Sequence, residues 1–255
     1  MKKFTKAVLC SCAIFGLFII NASNIKALES NPIDSNYVKL NQGTNQDVAN
    51  NDEILEQKQN ELQEFERKLR SILSSRGLIT DTRSGWLDGY PNYQQEASYY
   101  CGPATIKQAV QYINGSSASQ GTYASSMGTN GYDGTYVYKM ASQMNYRQSA
   151  HTYAYQYIGN GASSSVWSAI VNNIWNNKPT ILHASTSSLY MYNGVSLGHY
   201  ITAIGYMGLD FADSNKQILY IDTWSANYGR GTTLGQHYDS MYNVASTVYN
   251  RYLIY

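Results

Sequence analysis

The chain changes character near residue 84, and that break limits what it can fold into. All four tryptophans and 24 of the 25 tyrosines lie beyond it, Tyr37 being the exception, while the stretch before it is rich in Asn, Gln, Glu and Lys. Aromatic rings supply large buried areas. The sequence therefore predicts one folded domain over 85–255, preceded by a polar region unable to build a core of its own. Roughly 170 residues suffice for one well-buried core and are too few to argue for two.

Inside that domain helical and strand patterns follow one another. GPATIKQAVQYI places Ala104, Ile106, Ala109, Val110 and Ile113 at helical spacing, and SSVWSAIVNNIWNN does the same with Val166, Ile170 and Ile174 beside Trp167, Val171 and Trp175. Strand-like runs then dominate: PTILHAS, GHYITAIGYM, KQILYIDTW and a terminal STVYNRYLIY. Helices first and strands after predict an α+β domain with an antiparallel sheet. The stretch from Asn114 to Met127, rich in Ser, Gly and Ala, reads as a loop.

The N-terminus joins a cationic MKKFTK, the apolar run AVLCSCAIFGLFII and the small residues of NASNIKA before Leu28. This is the pattern of a secretory signal over 1–27. The apolar run is about 14 residues, short of the ~20 that span a bilayer, so the expectation is an exported chain with no stable membrane anchor. Residues 28–50 are polar and read as disordered. Over 51–76, Leu55, Leu62, Phe65, Leu69 and Ile72 fall on one stripe of a helix. Asn50 to Asp52 can cap its start, Glu64–Lys68 and Glu66–Arg70 are favourable i,i+4 pairs, and Gly77 can end it. An amphipathic stripe needs a partner surface: a coiled coil, a spacer, or a prosegment laid on the following domain.

Net charge is +1, and 85–255 carries seven basic and seven acidic residues. Without a basic footprint, nucleic acid and anionic lipid are set aside as partners. Phosphate-loop and dinucleotide glycine patterns are absent, and no His, Cys or carboxylate pair has the short spacing of a zinc site. Neither a cofactor nor a metal is expected.

Cys10 and Cys12 leave with the signal, so Cys101 is alone in the exported product, either a free thiol or one half of an intermolecular bridge. In YYCGPATIKQAVQYI it stands at the start of a helix, with Pro103 in the first turn, where a missing N–H costs nothing. The positive end of the helix dipole and the free N–H groups there favour a thiolate. A nucleophilic thiol needs a base, and the base an orienting group. His199 in GHYITAIGYM and Asp222 in QILYIDTW lie on strands joined by the polar LDFADSNK, and they face each other if the turn centres near residue 210 or 211. The polar segment centres a residue or two further on, which makes them near neighbours across the pair. His183 reads as a strand histidine packed in the sheet, His151 and His237 as surface or loop residues.

Taken together, these blocks resemble the papain-like cysteine peptidases. GHYITAIGYMGLDFADSNKQILYIDTWSANYGRG is similar to the His and Asn/Asp blocks of that family. QQEASYYCGPATIKQAV looks more like the branch that includes the bacteriocin-leader-processing, or double-glycine, peptidases. The resemblance covers roughly residues 86 to 255. It implies a papain-like fold and a peptide or protein substrate. Cys101 would be the nucleophile, His199 the base, Asp222 the orienting group, and Gln95 an oxyanion-hole donor beside the Cys101 N–H. Gln94 is adjacent, and a shift of one residue is open. Trp224 matches the tryptophan that shields the His contact in papain-type members. Asp in place of the papain Asn, and the missing Cys-Trp pair, set the chain apart from true papains. Residues 28–84 would be a prosegment covering the cleft as an intramolecular inhibitor, cleaved around Thr80 to Gly85 in a zymogen. Two other functions fit the same residues: a cell-wall amidase or endopeptidase using the same chemistry, and a secreted binding module on an inactive peptidase scaffold.

Overall fold

A computed structural model describes residues 40–74, 84–209 and 212–255. Residues 1–39, on which the expected secretory signal falls, Gly77 and the segment around Thr80 lie outside the described residues. Helix α1 spans Asn45–Ser74 and is followed by a short strand, β1 (Ser84–Trp86). Three helices come next, α2 (Cys101–Asn114), α3 (Gln120–Met127) and α4 (Val137–Arg147), then β2 (Tyr155–Ile158) and α5 (Ser163–Trp175). The remainder is β3 (Thr180–Ser185), β4 (Gly198–Met207), β5 (Gln217–Asp222), β6 (Gly235–Ser240), α6 (Met241–Thr247) and β7 (Arg251–Ile254). The strands form one sheet in the order β2-β7-β3-β4-β5-β6, with β1 against β4, and every pairing is antiparallel. The domain is α+β, as the order of patterns predicts.

Strand alternation sorts the core into two layers. Ile181, Tyr200, Tyr252 and Ile254 face Ile106, Ala109, Met140 and Met144 of α2 and α4. Leu182, Ile201 and Leu253 face Val166 and Ile170 of α5 and Val244 of α6. Each such side chain, removed from water, contributes about 1.5–3 kcal/mol. The central strand β4 is covered by β3 only as far as Ala203; beyond it β1 takes over, pairing Trp86 with Gly205. A Cβ on Gly205 would meet the Gly85 carbonyl oxygen at 2.9 Å, so only glycine admits β1 there.

Several expectations need correction. The stretch from Asn114 to Met127 is not all loop. Ser119 accepts a hydrogen bond from the Thr122 N–H, Gly128 ends the turn in the left-handed conformation, and Tyr123, Ala124 and Met127 are buried at helical spacing. Caps and three apolar residues override a composition of small residues. The terminal strand is also shorter than STVYNRYLIY suggests: Ser246 and Thr247 close α6, Asn250 turns with φ 57°, and the strand begins only at Arg251. His237 is on strand β6, not in a loop.

Helix α1 starts six residues before the expected Asn51. Its cap is Thr44 with Asp47: the Thr44 N–H and hydroxyl reach the Asp47 carboxylate, and the Asp47 N–H returns to Thr44 Oγ1 at 3.2 Å. This reciprocal pair satisfies more free donors than Asn50 could. Glu64 pairs with Arg67 rather than Lys68, through two hydrogen bonds.

The apolar stripe of α1 does lie on the domain. Leu55, Leu62, Phe65 and Leu69 pack on the α5 side of the core, and the Phe65 ring meets Trp175 edge-on at 5.2 Å. At the free edge of the sheet, the Asn51 side chain acts as a missing strand, its Nδ2 donating to the Tyr155 carbonyl (2.9 Å) and its Oδ1 accepting the Tyr155 N–H (2.8 Å). Tyr155 is level with Ile254 and Ile181, at the start of β3, whereas His199 pairs with Ala184 near its other end. The stripe therefore covers α5 and the sheet edge, while residues 28–39 and 75–83 of the expected prosegment lie outside the described residues. Its apolar complement is Trp175 and α5, and no described contact of α1 involves Cys101, His199, Asp222 or Gln95.

Candidate active site

Cys101 is the first residue of α2 and is partly exposed. The following Gly102 is dictated by packing, because a Cβ there would lie 2.5 Å from Thr135 Oγ1 and 2.7 Å from Thr135 Cβ. Thr135 is itself held, its hydroxyl by Thr129 Oγ1 at 2.8 Å and its carbonyl by the Tyr200 hydroxyl at 2.7 Å. The Cys101 turn is thus pressed against a fixed loop, and that loop is tied to β4, the strand that carries His199.

His199 and Asp222 are buried. The register sets Asp222 opposite Ile201, two residues along from His199, so the pair are diagonal neighbours on one face. One irregularity between Ala203 and Gly205 lowers the index sum of the ladder from 424 to 423, one step toward the 421 that a direct pairing of His199 with Asp222 needs. His199 Nε2 and Asp222 Oδ1 are 2.7 Å apart, and the Cys101 thiol interacts with the same imidazole. With Nε2 occupied by the carboxylate, Nδ1 is the nitrogen left for the thiol. Burial alone would push the imidazolium down. The charge and hydrogen bond of Asp222, reinforced by Cys101, outweigh it, and the group is raised to about 10.

Both carboxylate oxygens of Asp222 are used. Oδ1 also accepts the Trp224 N–H at 2.8 Å, and Oδ2 accepts the Tyr192 hydroxyl at 2.7 Å. Trp224 Nε1 donates to the Tyr228 hydroxyl at 3.3 Å, and Tyr228 stacks on Tyr192 with ring centres 5.5 Å apart. These aromatic residues enclose the Asp222 side of the pair, which excludes water and strengthens the electrostatics inside.

Gln95 is buried and Gln94 exposed, which settles which of the two is turned inward. The Gln95 Nε2 donates to the carbonyls of Ala97 (2.8 Å) and Ser98 (3.0 Å), and its Oε1 accepts from the Thr223 hydroxyl at 3.2 Å. In this arrangement the amide braces the loop entering Cys101. Two more glutamines grip that loop: Gln108 Nε2 donates to the Tyr93 carbonyl, while Gln120 donates to the Gln94 carbonyl and accepts the Glu96 N–H.

Cys101, His199, Asp222 and Gln95 are all brought to this region. His183 is packed in the sheet as expected, stacked on Tyr200 with centres 4.6 Å apart. Sequence reasoning does not reach Tyr192, Thr223 or Gln120. The only available signal for Tyr192 was that a buried carboxylate has a second oxygen in need of a donor. Among the described residues there is no group of three or more His, Cys, Asp or Glu that could hold a metal ion, and no helix long and apolar enough to cross a membrane.

A thiol at a helix start beside a histidine held by a carboxylate on the neighbouring strand is the arrangement of a cysteine peptidase. Residues 87–251 match the model of the Peptidase_C39 like family, and the chain belongs to that family. Solved structures similar to the chain include a double glycine motif protease from an AMS/PCAT transporter, crystallised with its leader peptide. It is 12% identical, covers 69% of this chain and 94% of its own, and has a TM-score of 0.43. The peptidase domain of Streptococcus ComA, a bifunctional ABC transporter involved in quorum sensing, is 17% identical over 65% of this chain and 96% of its own, with a TM-score of 0.41. The recombinant stem bromelain precursor is 15% identical over 72% and 75%, also with a TM-score of 0.41. No curated protein sequence matches the chain.

Proposed function

We propose that the chain is an exported cysteine endopeptidase that cleaves peptide bonds through a thioester, with Cys101, His199 and Asp222 as its catalytic groups. The observation that carries this reading is the buried His199 imidazole, hydrogen-bonded to Asp222 at 2.7 Å and interacting with the Cys101 thiol at the start of α2. His199 takes the thiol proton, and the thiolate attacks the scissile carbonyl. The oxyanion that forms meets the free N–H of Cys101 at the start of α2. Gln95 joins it when its Nε2 turns from the Ser98 carbonyl toward the developing charge, since such bonds tighten only in the complex. His199 then protonates the leaving amine, and water, deprotonated by the same imidazole, hydrolyses the thioester. Asp222 keeps the ring in place and supports its positive charge without taking the proton.

In this reading residues 1–27 direct export and residues 28–84 are a prosegment. The role assigned to α1 is to complete the fold, through Asn51 at the sheet edge and Phe65 on Trp175, rather than to block the cleft. The test is cleavage of a peptide library by the full chain, read by mass spectrometry. Wild type should yield defined products and Cys101→Ala none; a Cys101→Ala protein that cleaves as well as wild type overturns the assignment. Intact-mass analysis of secreted material tests the prosegment, which is refuted if the stable, fully active product still begins near Leu28.

A further inference from the structure

The loop between β3 and β4 contributes one side chain to the buried pair. Tyr192 is fully buried, and its hydroxyl donates to Asp222 Oδ2 at 2.7 Å, while Asp222 Oδ1 is shared by His199 and the Trp224 N–H. The ring is fixed from the other side by Tyr228. The loop is fixed too: the Tyr190 N–H donates to the Asp239 carboxylate at 2.6 Å, and Asn193 Nδ2 donates to the Tyr228 carbonyl at 3.0 Å.

We propose that Tyr192 is a positioning residue of the His199–Asp222 pair, which holds the carboxylate in line with the imidazole and draws off part of the charge that His199 feels. The proposal rests on the catalytic reading of Cys101, His199 and Asp222. A carboxylate with one oxygen toward the imidazole can still rotate about its Cβ–Cγ bond; a donor on the second oxygen removes that freedom. A hydrogen bond to a buried carboxylate also stabilises its charged form. Burial, together with the Asp222 charge and hydrogen bond, keeps the Tyr192 phenol protonated far above its ordinary range, so it remains a donor at every working pH.

The other titratable groups nearby do not duplicate this contact. His199 is faced by Cys101 from α2 and by His183 from β3, and Arg251 of β7 comes within 3.8 Å of the position a Cβ would take on neighbouring Gly198. On the Asp222 side, Tyr220 of β5 feels the carboxylate charge but its hydroxyl makes no hydrogen bond, and Tyr228 bonds to Trp224 instead.

Loss of the phenol leaves the carboxylate charge more fully on His199. The imidazolium then persists to higher pH and gives up its proton less readily. The test is the rate of Cys101 alkylation by iodoacetamide against pH in the full chain, with the modified site assigned by mass spectrometry. Its upper inflection reports loss of the imidazolium proton. Tyr192→Phe, which keeps the ring stack, should move that inflection up by about one pH unit, the size of one charge-assisted hydrogen bond, and should slow peptide cleavage roughly tenfold. Incorporation of 3-fluorotyrosine at 192, nearly isosteric and a stronger donor, should move the inflection down and keeps the proposal testable if Tyr192→Phe does not fold. An unchanged inflection in either folded protein overturns the role of Tyr192. If instead His199→Ala retains the same upper inflection, the catalytic reading itself is wrong.

Discussion

Replacing Asn51 with alanine removes both hydrogen bonds that close the free edge of the sheet, at 2.8 and 2.9 Å, and leaves the Tyr155 N–H and carbonyl without partners. Asn51 is only 8% exposed, so water reaches the vacated groups poorly. Each hydrogen bond carries about 1 kcal/mol net, and a buried group left unsatisfied costs about 1–3 kcal/mol. The two together give an expected loss of about 2–4 kcal/mol, a large part of the ~5–15 kcal/mol that holds a domain together. Urea denaturation followed by tryptophan fluorescence measures it, since all four tryptophans lie in the domain. Hydrogen exchange at the Tyr155 amide localises it. Asn50→Ala is the control: Asn50 is exposed and accepts only from Gln46 within the same helix, so the change should stay within about 0.5 kcal/mol. If Asn51→Ala also loses less than about 0.5 kcal/mol, or if the Tyr155 amide keeps its protection, then α1 is an incidental neighbour of the sheet and its assigned folding role is wrong.

Asp222→Asn should slow peptide cleavage by roughly 10²–10⁴-fold with the fold retained. Because the Asp222 charge is what holds the His199 imidazolium up against burial, the same substitution should move the alkaline limb of the pH–rate profile down from about 10. Gly102→Ala forces a methyl group to within 2.7 Å of Thr135 Cβ. The expected cost is about 1–3 kcal/mol of stability plus a fall in alkylation rate at Cys101, partly restored by a second change, Thr135→Gly. His183 is pushed down to about 3, chiefly by burial, with Arg251 and His199 adding to it. The folded state therefore keeps it neutral where the unfolded chain takes up a proton. Stability is complete above the unfolded value near 6.5 and is lost progressively as pH falls toward 3. His183→Phe should flatten the thermal-unfolding curve across that window, and an unchanged slope would assign the acid sensitivity elsewhere.

Local pattern was enough for α2, for α5 and for β4, whose bounds coincide with GHYITAIGYM. Each has long periodicity and clear punctuation, so the backbone has one good local answer. The short elements escaped for the opposite reason. Helix α3 has eight residues and depends on its caps, and β2 has four, which acquire meaning only beside β7 and Asn51. The α1 stripe was legible but its target was not, because the matching surface at Trp175 comes from residues more than a hundred positions away.

The sequence by itself determined the chemistry on offer: one thiol at a helix start, and one histidine and one aspartate on adjacent strands a hairpin apart. Those features are local, and helix capping and strand alternation act over a few residues. Tertiary structure alone decided how the groups are used. It turned Asp222 so that one oxygen meets His199 and the other Tyr192, engaged the Gln95 amide on its own loop, and carried α1 to the sheet edge. A buried polar group must find its partner wherever the fold places a donor, and sequence separation sets no limit on that distance.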